Sequence, residues 1–80
     1  MKTLVLVEWE DTCSCNDWQS HEEMKTRDVQ SVKSVGYLVE KTKKHTTIIS
    51  SVSVSAGGKG GFCTLCIPAG CIRRMKTIKE

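Results

Sequence analysis

Most apolar residues of the chain fall in five short runs that are separated by more polar segments. Runs of this length, partly β-branched and alternating in polarity, are typical of β-strands. They predict strands over residues 3–9, 34–41, 45–55, 62–67 and 71–78. Gly36 interrupts the second run, which indicates a bulge or a close approach of another backbone.

The segments between these runs carry their own signals. Residues 10–33 are polar, lack helical periodicity and are too long for a simple connection, so we expect them to have a function or to pack on themselves. Ser20 with Glu23 three residues later predicts one capped helical turn within this loop. Residues 56–61, AGGKGG, predict a hairpin connection. Pro68 breaks the fourth run, and residues 68–71 predict a turn of 3₁₀ helix before the last strand.

This order of elements predicts an all-β protein in which the last strand crosses back beside the first. The layout resembles the SH3-like barrels and, less closely, the Sm-like barrels. In that resemblance the polar segment 10–33 is the long first loop, and AGGKGG is the distal hairpin. We therefore expect a small five-stranded barrel with a long polar loop after strand 1, formed by residues 1–80 as a single domain.

Composition narrows the functional classes. An 80-residue chain with a net charge of +3 has a thin core and only a mild attraction for anions. The first apolar run is too short for a signal peptide and no run is long enough to span a membrane, so a cytoplasmic protein is expected. Five cysteines, an odd number, argue against a closed disulfide framework. A domain with a thin core needs extra stabilisation from disulfide bonds, a structural metal ion or self-association, and we expect a homo-oligomer.

Three blocks carry a narrower resemblance: Leu6–Trp9 (LVEW), Ser34–Val39 (SVGYLV) and Ile67–Ile78 (IPAGCIRRMKTI). Their order and spacing resemble a group of short, mostly uncharacterised proteins encoded by bacteriophages. The resemblance implies a small barrel in a phage accessory protein, acting in an infected bacterial cell, and no established activity.

The cysteines have two interpretations. Cys13, Cys15, Cys63 and Cys66 have the inventory of a four-cysteine zinc site. However, Cys63 and Cys66 differ by an odd offset in a predicted strand, so their side chains should point to opposite faces. Thr64 and Leu65 between them are not turn residues. We therefore expect structural thiols, no metal and no cofactor, and keep a structural zinc module as the alternative.

Basic and aromatic residues are the candidates for ligand contacts. Lys59 lies at the tip of the glycine-rich hairpin, where no Walker-type motif surrounds it. Arg73 and Arg74 could bind a phosphate, or they could be solvated charges that keep an edge strand from pairing with another chain. Trp18 and Tyr37 could stack on a base or a proline, although Tyr37 could equally cap the core.

These patterns contain no catalytic constellation, so we expect a non-enzymatic binding protein. Its predicted partner is a phosphate-bearing small molecule, such as a host nucleotide signal that it sequesters, or a host protein that it occupies. The predicted ligand-binding residues are Trp18, Tyr37, Lys59, Arg73 and Arg74. A nucleic-acid-binding barrel is the rival, although the mild positive charge argues against it.

Overall fold

The structure is a computed structural model that describes residues 3–12, 17–53 and 60–78. Its elements are β1 (Leu4–Asp11), α1 (His21–Lys25), β2 (Gln30–Lys41), β3 (His45–Ser53), β4 (Gly60–Pro68), a 3₁₀ turn η1 (Ala69–Cys71) and β5 (Ile72–Ile78). The strands form one antiparallel sheet in the order β4-β3-β2-β1-β5. The predicted all-β class is confirmed. The sheet is open, with β4 and β5 as its two edges, so closure into a barrel is not confirmed.

Strand β2 belongs to two ribbons. Its residues from Gln30 to Tyr37 pair with β1, whereas its residues from Tyr37 to Lys41 pair with β3. Beyond the Tyr37–Ile49 pair, β3 continues in register with β4 and no longer pairs with β2 in the described residues. The β3–β4 ribbon therefore diverges from the β1–β2–β5 ribbon at this point.

Gly36 lies beside the point where the two ribbons separate. A Cβ atom at this position would lie 2.7 Å from the carbonyl oxygen of Ile49 and 3.2 Å from the Cβ atom of Ile48. The predicted close approach at Gly36 is therefore confirmed, and it is the backbone of β3 that approaches. Only a residue without a side chain lets the two strands come this close.

The main core cluster lies on one side of the sheet, which we call the inner face, whereas the buried Ile49 belongs to the opposite side. Val5, Val7, Ile48 and Ile67 are almost fully buried on the inner face. The side chains that pack against them are partly buried: Trp9, Leu38, Leu65, Cys71, Ile72 and Met75. On β1 the inner residues alternate with Leu4, Leu6, Glu8 and Glu10, which lie on the opposite side, the outer face.

Local sequence signals account for the short connections. The Ser20 hydroxyl accepts a hydrogen bond from the amide of Glu23 at 3.2 Å and so caps α1, as predicted. Between β2 and β3, the Thr42 hydroxyl accepts from the amides of Lys44 and His45, at 3.1 Å each. The predicted 3₁₀ turn after Pro68 is confirmed as η1, and it delivers β5 to the free side of β1.

Strand β4 is distorted at Cys63, whose φ angle of 60° is left-handed. The pairing of β3 and β4 skips the Ser50–Cys63 position, although the register is unchanged on both sides of it. The prediction that Cys63 and Cys66 point to opposite faces assumed a regular strand, and β4 is regular only from Thr64 onward. There, Thr64 and Cys66 are exposed while Ile67 is buried.

Candidate binding surface

Glu8 is the centre of a row of charges on the outer face. The strand register places Lys33 of β2 on one side of Glu8 and Arg74 of β5 on the other. The Lys33 ammonium lies 3.7 Å from Oε1 of Glu8, and Nε of Arg74 lies 3.6 Å from Oε2. The two cations thus share one carboxylate, and this row crosses the whole β2–β1–β5 ribbon.

Arg73 also reaches the outer face of the sheet, because β5 contains a β-bulge. Glu8 pairs with Arg74 and Trp9 pairs with Ile72, so Arg73 is the extra residue of β5. Its Nε donates to the carboxylate of Glu10, and its Nη1 donates to the carbonyl of Gly70 at 3.0 Å. Regular alternation would have put Arg73 and Arg74 on opposite faces, whereas the bulge gives both of them glutamate partners on one face.

A cleft of about 530 Å³ lies beside these charges. Trp9 forms part of its wall, and the indole Nε1 donates a hydrogen bond to the Ser34 hydroxyl at 3.0 Å, which fixes the ring. The cleft is open to solvent and combines apolar and charged walls. Its lining residues are Glu8, Trp9, Glu10, Ser31, Val32, Lys33 and Arg73.

Tyr37 lies farther along the outer face, in a row of residues that crosses all five strands. It pairs with Leu4 of β1 and with Ile49 of β3. Leu4 pairs in turn with Ile78, and Ile49 pairs with Thr64. Tyr37 is half-buried in this row, which is offset from the Glu8 row by four positions along β1, a distance of roughly 13 Å.

The structure thus brings only part of the predicted site together. Tyr37, Arg73 and Arg74 share the outer face. Trp18 is 99% exposed in the connection before α1, so its ring packs on none of them. Lys59 lies outside the described residues.

The four-cysteine alternative is only partly visible. Cys13 and Cys15 lie outside the described residues, while Cys63 and Cys66 are free, exposed thiols on β4. Within the parts of the chain that are described, no three His, Cys, Asp or Glu side chains cluster closely enough to hold a metal ion.

Sequence reasoning missed Glu8, Glu10 and Lys33, because their role depends on which residues lie opposite one another across strands. The only signal for them was the spacing of two glutamates at positions i and i+2 on β1, which places both on one face. Their basic partners could be identified only once the register of β2 and the bulge of β5 were known.

No protein-family model matches the chain, and no curated protein or solved structure matches it. Among the described residues, no helix has the length and apolar character needed to cross a bilayer.

Proposed function

We propose that the chain is a non-enzymatic binding protein and that it contacts a protein partner through the outer face of β1, β2 and β5. The observation that carries this proposal is the row Lys33–Glu8–Arg74, in which charges alternate in sign across three hydrogen-bonded strands. Charges in such a fixed pattern set the orientation and specificity of a protein contact more than its raw affinity.

Apolar residues next to this row provide the contact area that a protein interface needs. Leu6 and Val35 form the next cross-strand pair on the outer face, and 52% of Val35 is exposed. Tyr37 follows beyond them. A surface with exposed apolar and aromatic residues beside a polar margin has the general anatomy of a protein interface.

The pairing of the arginines favours a protein over a phosphate-bearing ligand. Arg73 is held by Glu10, and Arg74 faces Glu8. A phosphate that approached either guanidinium would lie beside a carboxylate of its own sign, and like charges at such distances repel. Tyr37 is also too far along the sheet to stack on a base whose phosphate is held at Arg73.

The fold and the setting of this function are part of the same proposal. We assign the sheet to the SH3-like barrel class, supported by the placement of β5 beside β1 after the 3₁₀ turn. The resemblance to short phage-encoded proteins supports a bacterial host protein as the partner. In this proposal the chain acts in the cytoplasm of an infected cell as an accessory or counter-defence factor, by occupying its target.

The test compares two double variants that remove equal charge. Arg73→Gln/Arg74→Gln alters the outer face, whereas Lys43→Gln/Lys44→Gln alters the exposed β2–β3 turn. Each tagged protein is incubated with a bacterial host lysate, and the captured proteins are quantified by mass spectrometry. We expect one host protein to be captured by the wild type and the turn variant and lost in the arginine variant, with circular dichroism showing that all three are folded.

Capture that is equal in both double variants would contradict the proposed surface. Native mass spectrometry of the protein purified from host cells provides the complementary measurement, since it reports retained nucleotides and metals together. A retained nucleotide that disappears in the arginine variant would favour the sequestering function instead. Salt-dependent binding to DNA would favour the nucleic-acid-binding class.

A further inference from the structure

The two edges of the sheet differ sharply in charge. Strand β5 has Arg73, Arg74 and Lys76 among its seven residues. Strand β4, with nine residues, has no charged side chain at all. Charged residues on an edge strand prevent it from pairing with another chain, and their absence leaves the edge able to pair. Strand β4 is therefore the edge that is able to pair with another chain, and we call it the open edge.

The backbone groups that β4 presents to solvent follow from one hydrogen bond. The amide of Ala69 donates to the carbonyl of Lys44 at 2.8 Å, so these two residues are a hydrogen-bonded pair. In an antiparallel ladder such pairs alternate with non-hydrogen-bonded ones. In the unchanged register, Ile67 and Leu65 therefore bond to β3, whereas Cys66 and Thr64 direct their N–H and C=O groups to the free edge.

The ends of this free edge are modified in opposite ways. Pro68 presents a carbonyl group but has no N–H to donate. Phe62 presents an N–H, but its carbonyl already accepts a hydrogen bond from the Ser50 hydroxyl at 3.2 Å, next to the distortion at Cys63. One end of the edge thus lacks a donor, and the other end has an acceptor that is already occupied.

We infer that β4 pairs antiparallel with β4 of a second copy of the chain, about a two-fold axis at Leu65. In this register Thr64 lies opposite Cys66 of the second copy, and each pair exchanges both backbone hydrogen bonds. Phe62 lies opposite Pro68, so the Phe62 N–H meets the Pro68 carbonyl. The donor that Pro68 lacks falls opposite the carbonyl that Ser50 already satisfies, so the groups that Phe62, Thr64, Cys66 and Pro68 present to the free edge all have partners.

Neighbouring registers satisfy fewer groups. An axis at Thr64 puts the Cys66 N–H opposite the occupied Phe62 carbonyl. An axis at Cys66 puts the Thr64 carbonyl opposite Pro68, which has no donor. Self-pairing of β5 about its centre would put Arg74 opposite Lys76, and like charges directly opposite each other destabilise a strand pair. Because each copy has a single open edge, the pairing closes at a dimer.

Two double variants at exposed positions test both the pairing and its register. Thr64→Lys/Cys66→Lys places lysine opposite lysine in the dimer. Thr64→Lys/Cys66→Glu places each lysine opposite a glutamate of the second copy. By light scattering after gel filtration, we expect the wild type and the Lys/Glu variant at twice the chain mass of 8.9 kDa, and the Lys/Lys variant at the chain mass.

A wild type that is monomeric at NMR concentrations would overturn the inference, as would a Lys/Lys variant that remains dimeric. A monomeric Lys/Glu variant would overturn the register with its axis at Leu65. If the axis were at Thr64 instead, the two lysines at position 64 would lie opposite each other and repel. Amide exchange in the wild type provides a test without mutation. Slow exchange at Thr64 and Cys66, lost on dilution, supports the dimer, whereas fast exchange at both, beside slow exchange at Leu65 and Ile67, refutes it.

Discussion

Replacing Gly36 with alanine should destabilise the fold severely, because the new methyl group would lie within the crossing of β2 and β3. The added Cβ would lie 2.7 Å from the Ile49 carbonyl oxygen, a backbone atom that cannot rotate away, and 3.2 Å from the Cβ atom of Ile48. Overpacking of this kind costs about 1–3 kcal/mol, and the contact with backbone favours the upper end. A chain of 80 residues has a total stability of roughly 4–12 kcal/mol, so this loss is a large fraction.

Urea unfolding followed by tryptophan fluorescence measures the effect, because Trp9 packs against the core. With a denaturant slope of about 1 kcal/mol/M, a loss of about 2–3 kcal/mol lowers the unfolding midpoint by about 2–3 M. Gly70→Ala is the matched control. A Cβ at Gly70 meets no atom within 4 Å, so that variant should keep the wild-type midpoint or exceed it slightly. If Gly36→Ala unfolds at the same urea concentration as Gly70→Ala, the close approach of β3 at Gly36 is wrong.

Three further predictions address local features. Cys63→Gly should raise the free energy of unfolding by up to about 1 kcal/mol in thermal denaturation, because glycine adopts a φ of 60° without the steric cost that a side chain imposes; a drop in stability would contradict this account of the distortion. Ser20→Ala should speed amide exchange at Glu23 while changing global stability by less than about 0.5 kcal/mol, since α1 buries no residue; a large global loss would show that α1 packs on the sheet. Glu8→Gln should cost less than about 1 kcal/mol at low salt and almost nothing at high salt, because the cation of each of its two ion pairs is exposed to solvent, and a loss that is independent of salt would argue against an electrostatic role.

The parts of the fold that depend on local sequence could be predicted. The five strands, the Ser20 cap and the 3₁₀ turn after Pro68 all follow from patterns within a few residues. The strand ends could not be predicted in the same way. Strand β1 runs on to Asp11 and β2 begins at Gln30, because the polar residues there are held by cross-strand pairing rather than by burial. A polar strand end has no hydrophobic signature of its own.

The candidate surface depends still more on long-range pairing. Arg73 and Arg74 stand out in the sequence as a basic pair, but their glutamate partners are more than sixty residues away along the chain. A bulge of one residue decides that both arginines reach the same face, and no local pattern specifies its position. The sequence therefore indicated which cations to consider, whereas only the register showed that carboxylates accompany them and weaken the case for a phosphate ligand.

The extended shape of the molecule indicates that the β3–β4 ribbon, which carries the open β4 edge, is only weakly supported by the rest of the sheet. The radius of gyration is 16.2 Å, whereas a compact 80-residue domain is expected at about 12 Å. The excess is consistent with two ribbons that diverge from Gly36, and the β3–β4 ribbon beyond that point has no third strand among the described residues to support it. An isolated two-stranded ribbon is only marginally stable in water. In the proposed register the second copy's β4 reaches this part of the ribbon only at Phe62 and Cys63, because Gly61 and Gly60 fall opposite η1 of the second copy. Amide exchange at Val52 and Gly61 should therefore stay fast at every protein concentration, whereas exchange at Thr64 and Cys66 should slow as the dimer forms.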